Sequence, residues 1–420
     1  MPPYFSRACA RYLRANTSWS AALLLVVVLT SQAWSQTTEK VLVHLPVSNF
    51  SSSLVLDQRG NLYGADSGTG LKYGNIFEAR HLANGSWSFR NLHVFTGGSD
   101  GEYPHGHLLW DSKGNLYGAT SDGGLTGCAV ESHSCGAVFE LTQNPNGTWT
   151  RKTLYAFTGA ADGANPASGL AWDAKGNLYG TTAFGGLGQG TVFQLHPQPD
   201  GTWSEITLYQ FTGGTDGRGA VNDALAIDTG GNVYGTTLYG GNTGHGTVFR
   251  LSPNLTGSWD FRVLYSFCPN AGCRDGSTPD GVVLDSHGNL YGAASSGGLA
   301  QSQCSLLPND CGTVYKIWRN TWKFQLVHRF CAGDCSDGAR PVGLLTFDSS
   351  GNLYGSTIGN HGTVFRLSHP AGSPWTVTTL YQFCQLPQCA DGFDPGGSPI
   401  LDAGGNLYGI TSTLVYEVSP

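Results

Sequence analysis

The 420-residue chain holds 61 glycines, 11% aromatic and only 12% charged residues, and a single methionine. Glycine at about twice its usual share of roughly 7%, with many aromatics and few Lys and Glu, argues for a turn-rich β chain and against a helical one. The net charge of -7 is mild and no basic cluster occurs, which excludes nucleic acid as a natural partner.

The first 35 residues stand apart. Arg7, Arg11 and Arg14 precede an apolar run over residues 21–29 and the small-residue pattern Ala33-Trp34-Ser35. This is the layout of a signal peptide, residues 1–35, with cleavage expected after Ser35. An uncleaved anchor is the alternative, but the apolar core falls well short of the roughly 20 residues that a membrane span requires. Cys9 lies ahead of that core, so it is not a lipidated first residue of a mature chain. A secreted or periplasmic protein is expected, with no membrane association after signal removal.

Residues 36–420 read as one body. It opens on a lone strand, Lys40-Val41-Leu42-Val43-His44-Leu45. The phrase Gly60-Asn61-Leu62-Tyr63-Gly64 then returns from Gly114, Gly176, Gly231 (with Val233 for Leu), Gly288, Gly351 and Gly405. Spacings of 54, 62, 55, 57, 63 and 54 residues are those of one supersecondary unit in tandem. The third copy shows the unit: strand A over residues 169–173, strand B over 178–182, strand C over 190–195 and strand D over 203–211. Asp-x-x-Gly-Asn joins A to B as a tight turn, and a glycine-rich loop joins B to C.

Strand D carries Trp87/Phe95, Trp149/Phe157, Trp203/Phe211, Trp259/Phe267, Trp322/Phe330 and Trp375/Phe383, each pair eight residues apart. Even spacing on a strand of period two predicts both rings on one face. In strand C, Val192 falls on one face and Phe193 and Leu195 on the other, so both faces of each sheet need cover. Seven sheets around an axis supply it. The chain ends on Leu414-Val415-Tyr416-Glu417-Val418, a strand C without a D. If the lone first strand is that missing D, the ring closes with no free edge. The expected fold class is all-β: a seven-bladed β-propeller of four-stranded antiparallel blades, closed by pairing of the N-terminal strand with the last blade.

Ten cysteines follow the signal in five close pairs: Cys128/Cys135, Cys268/Cys273, Cys304/Cys311, Cys331/Cys335 and Cys384/Cys389. Even count, close spacing and export favour five local disulfides. Metal binding is the rival; no Cys-x-x-Cys spacing with a histidine partner supports it, and no metal site is expected.

The phrases Gly-Asn-Leu-Tyr-Gly, Gly-Gly followed by Gly-Thr-Val-Phe, and Leu-Tyr-x-Phe-Thr-Gly-Gly-x-Asp-Gly resemble the tandem repeat of the bacterial GloVer (Gloeo/Verruco) choice-of-anchor proteins over residues 40–420. The resemblance implies the repeat array and brings no activity with it. Family members often carry a C-terminal surface anchor; the sequence reaches Pro420 inside the last repeat, so the resemblance does not carry an anchor over. The A-B hairpin is also similar to that of NHL-repeat and gluconolactonase-like propellers, a likeness of fold only.

In a propeller whose A strands line the channel, the B-C and D-A connections share one face. The cysteine pairs and the length variation fall there, which makes that face the expected binding surface. Departures from the repeat mark where sevenfold symmetry breaks: His105 and His107 in blade two, Asn222 and Asp223 in blade four, and Asp280 in blade five. Facing the channel, they would form a polar ligand or metal site; otherwise they are solvated loop residues. Asp100, Asp162, Asp216, Asp275, Asp337 and Asp391, each before a glycine, offer a carboxylate ring able to hold calcium, against the simpler reading of one turn each. No other cofactor is indicated. His245 and His361, in equivalent His-Gly-Thr-Val-Phe segments, read as packing.

No catalytic motif is recognised. The expected function is a secreted binding or scaffold module, monomeric, meeting a glycan or cell-surface protein, with Tyr103, Phe184 and Tyr239 as exposed aromatics for stacking. The alternative is a metal-dependent hydrolase or lyase in the channel, on His105, His107, Asp223 and Asp280. An envelope scaffold without ligand is the third reading.

Overall fold

The computed structural model describes residues 37–45, 53–68, 71–125, 127–128, 135–166, 168–220, 224–299, 311–370 and 373–419. The signal peptide expected at 1–35 lies outside them. The described strands number twenty-eight and form seven four-stranded antiparallel sheets; the helical turns among them are two single 3-10 turns, Gly98–Asp100 and Pro387–Cys389. Six sheets are consecutive meanders, blade three being Ala171–Trp172, Leu178–Thr181, Thr191–Pro197 and Trp203–Gln210. The seventh combines Gly396–Leu401, Leu407–Ile410 and Leu414–Ser419 with Thr38–His44, pairing Thr38 with Ser419 and His44 with Leu414. The molecule is thus a seven-bladed propeller closed by its N-terminal strand.

Each A-B turn is built on one aspartate. In blade three Asp173 Oδ1 accepts the backbone N–H groups of Lys175 and Asn177 at 2.8 and 2.9 Å, while Oδ2 accepts Asn177 Nδ2 at 2.7 Å and the Tyr179 hydroxyl at 3.1 Å. Asp57, Asp111, Asp228, Asp285, Asp348 and Asp402 accept the equivalent backbone N–H. A side chain thereby satisfies donors that the turn would leave unpaired. The two glycines of the phrase answer different needs. Gly176 sits at φ +83° with open space around it, a conformation that disfavours any Cβ. At Gly180 a Cβ would lie 2.5 Å from Phe193 Cζ, so the ring from strand C fits against strand B because the side chain is missing.

Strand D departs from the expectation. Val192 pairs with Tyr209 but Phe193 with Thr207, leaving Leu208 as a one-residue bulge. The same slip passes over Leu92, Leu154, Leu264, Val327 and Leu380, and over Leu42 in the closing strand. One extra residue inverts the alternation of side chains. The Trp and Phe of a pair therefore face opposite ways, which corrects the single face that their even spacing predicts. Trp203 packs toward Tyr117 of blade two, with ring centroids 6.4 Å apart, and Phe211 packs on Phe249 of blade four at 5.4 Å.

The result is one buried cluster at each junction of consecutive blades, seven in all. At the junction of blades seven and one, Leu42 and Leu45 of the closing strand pack on Leu54, Leu62 and Phe77. Each such aliphatic side chain contributes about 1.5–3 kcal/mol by leaving water, so the latch is hydrophobic as well as hydrogen-bonded.

Candidate binding face

The B-C and D-A loops meet on one side of the ring. Ala164 bridges to Phe184 and Arg218 to Tyr239, and the Phe211 N–H donates to the Gly190 carbonyl at 3.0 Å. Disulfides join Cys128 to Cys135, Cys268 to Cys273, Cys331 to Cys335 and Cys384 to Cys389. Cys304 lies outside the described residues, so the fifth expected pair does too. All six cysteines of the D-A loops have left-handed backbones, with φ from 43° to 64°. Such residues cost on the order of 1 kcal/mol each and persist where the surroundings over-determine them, here by the cross-link.

The six Asp-Gly aspartates close these same loops. Asp216 accepts the Tyr209 hydroxyl at 3.0 Å, the Thr212 N–H at 2.7 Å and the Thr212 hydroxyl at 2.6 Å. Tyr155, Tyr265 and Tyr381 donate likewise to Asp162, Asp275 and Asp391, while His93 and His328 meet Asp100 and Asp337 at 3.1 and 2.8 Å. Burial would raise the Asp216 carboxyl, but the bonds from Thr212 and Tyr209 outweigh it and hold it below the usual carboxylate range. Among the described residues no three of these carboxylates converge on one point.

Three of the expected channel residues, His105, His107 and Asp280, fall among those described. His107 lines a cavity of about 360 Å³ with Leu109, Leu170, Leu225, Val282 and Leu344, an apolar wall. His105, two residues earlier in Glu102–Trp110, pairs across the sheet with Ala119, and burial pushes its imidazole pKa down toward the neutral form. Asp280 accepts the Gly343 N–H of blade six at 3.1 Å. Asn222 and Asp223 lie outside the described residues. Among those described, His105, His107 and Asp280 belong to no group of three converging ligand atoms.

Phe184 and Tyr239 are 41% and 46% exposed, as expected; Tyr103, whose backbone N–H donates to the Tyr73 carbonyl at 2.9 Å, is only part-exposed. Leu125, Leu187 and Leu386 add exposed apolar side chains to the same loops. A larger recess, about 500 Å³, opens on the opposite face between blades one and two, lined by Tyr63, Glu78, Arg90, Trp110 and Trp149. A recess of about 340 Å³ with Tyr179, Gln194 and Trp259 repeats it between blades three and four, and Glu78 already accepts the Tyr63 hydroxyl and Arg90. The recess is therefore a product of the repeat.

Two arrangements escaped the sequence reading. Gly97-Gly98-Ser99-Asp100-Gly101 has the letters of a nucleophile elbow, but Ser99 lies in a 3-10 turn after strand D with no helix behind it. His245 and His361, read as packing, each stand beside a cysteine pair. The chain separates those residues by more than twenty positions, which hid the proximity.

Solved structures similar to the chain include the extracellular domains of proteins from B. thetaiotaomicron assigned as a one-component system (10% identity, TM-score 0.55) and a hybrid two-component system (14%, 0.51). Both alignments cover 91% of this chain; it spans only 40% and 41% of theirs. A protein from Bacteroides uniformis assigned as a 6-phosphogluconolactonase aligns over 81% of this chain and 87% of its own, at 14% identity and TM-score 0.50. Identities this low speak to the propeller fold alone. No curated protein sequence matches. The Gloeobacter/Verrucomicrobia repeat matches residues 29–221 and 129–357, and the chain belongs to that family.

Proposed function

We propose that the protein is an exported binding module whose ligand, a glycan or a protein of the cell surface, docks on the face formed by the B-C and D-A loops. The inequality of the two faces carries this reading. On one side the A-B turns repeat a single self-satisfied design, with the aspartate accepting from its own turn. On the other side, loops differ from blade to blade, are cross-linked, and expose Leu125, Phe184, Leu187, Tyr239 and Leu386. Exposed aromatics on rigid loops stack on sugar rings or fill protein pockets without a large ordering cost. Disulfides also suit a compartment outside the cytosol.

A glycan array, followed by binding of surface extracts to the immobilised protein, tests the reading. A ligand found this way should be lost, with affinity falling at least about tenfold, in Phe184→Ala and Tyr239→Ala. Trp318→Ala, on the opposite face, should bind normally. Loss of binding in Trp318→Ala together with full binding by both loop variants would move the site off this face.

A further inference from the structure

In blades four and six a histidine stands over a cysteine pair. His245 with Cys268 and Cys273, and His361 with Cys384 and Cys389, each bring one imidazole nitrogen and two sulfurs within 4.8 Å of one another. Both sets link a B-C loop to the following D-A loop through one backbone framework. Phe267 N–H donates to Gly246 O and Thr278 N–H to His245 O, as Phe383 does to Gly362 and Asp394 to His361. Blade five puts Cys311 at the histidine's position, in a buried cluster with Cys331 and Cys335. Where the D-A loop lacks cysteines the position holds Tyr73, Cys135 or Gln189, and Cys135 is joined to Cys128 of its own loop. Cys311, like Cys135, is itself disulfide-bonded, so a free ligand stands over a cysteine pair in blades four and six. A disulfide staple needs only its two sulfurs. An imidazole beside two thiolates is instead a ligand set for a thiophilic d10 cation, with a fourth position open.

We propose that the two His-Cys-Cys sets are redox-gated metal sites, closed as disulfides and, once reduced, each able to bind one thiophilic d10 cation such as Zn²⁺. A thiol reductant supplies the two electrons: two RSH become RSSR, the Cys268–Cys273 bond breaks, and each sulfur takes up one proton. Binding of the divalent ion then releases both thiol protons to water, while the neutral His245 imidazole donates its nitrogen lone pair. Cys384, Cys389 and His361 do the same in blade six. The blade-five set has Cys311 and Cys331 fully buried, and the proposal leaves it aside. His245 is half-buried and His361 exposed, and although Cys268 is buried, Cys273, Cys384 and Cys389 are part-exposed, so a thiol can reach one sulfur of each pair.

The test uses the mature full-length protein, reduced with a thiol, desalted anaerobically and titrated with Zn²⁺ against a chromophoric chelator, with circular dichroism to follow the fold. The oxidised protein should take up no zinc. The reduced protein should show two sites tighter than any other, and His245→Ala and His361→Ala should each weaken one of them by at least about tenfold, since even outer-shell partners cost that much. Reoxidation should expel the metal. Zinc affinity unchanged in the double His variant, equal uptake by the oxidised protein, or loss of β-sheet signal on reduction would each overturn the proposal.

Discussion

Residues of the same type do different work within a single repeat, and the two glycines of the Gly-Asn-Leu-Tyr-Gly phrase separate cleanly. Gly176→Ala meets no neighbour and suffers only from its φ of +83°, which costs about 1–2 kcal/mol. Gly180→Ala meets Phe193 Cζ at 2.5 Å and Leu170 Cδ2 at 3.1 Å, both held in packed clusters. Overpacking adds typically about 1–3 kcal/mol and spreads by backbone shift. Urea unfolding should therefore find both variants less stable, with a loosened near-ultraviolet aromatic signal only in Gly180→Ala. An intact aromatic signal there would mean that strand C can yield, contrary to the packing described. The aspartates of the turns show the same economy of role: burial tends to raise the Asp173 carboxyl, and hydrogen bonds from Asn177, Lys175 and Tyr179 more than reverse it.

At the level of the strand, the bulge in D decides which blade each aromatic serves. Deleting Gln210, beyond the bulge, would set Phe211 next to Tyr209, which pairs with Val192, and so turn it from Phe249 toward blade two. That deletion should cost far more than Leu208→Ala, whose loss is set at about 2–5 kcal/mol by one buried leucine. Thermal unfolding followed by circular dichroism compares the two directly, and equal melting temperatures would refute the facing given to Phe211. Here also lies the boundary of what the sequence disclosed. Blade number, strand order, ring closure and the turn aspartates were all legible, because each repeats the same letters at the same offset. The bulge was not, although its residue is the Leu of Leu-Tyr-x-Phe: an apolar residue in a strand looks alike whether paired or bulged. The His245 and His361 sets were missed for another reason, since adjacency between a B-C loop and a later D-A loop is a property of the closed sheet.

The ring as a whole is held by its seam. Glu39 pairs opposite Val418 in that seam, and its carboxyl is pushed from 4.5 up to about 7, chiefly by burial and then by Asp391. Between those values the folded protein keeps a proton that the unfolded chain has released, so stability is greater at low pH and falls as pH rises through the window. Glu205 in blade three behaves alike, pushed up to about 7 by burial despite a bond from Thr207. Glu39→Gln should therefore raise the urea midpoint at pH 8, by on the order of 1 kcal/mol after solvent screening, and change it little at pH 5; equal effects at both would contradict the burial of Glu39. The seam carries one further implication. The first strand, Thr38–His44, has as its partner the last, Leu414–Ser419, so a copy interrupted during synthesis has no smaller circle to settle into. Without Leu414–Ser419 the first strand would lose its partner, and blade seven would be left with an unsealed edge.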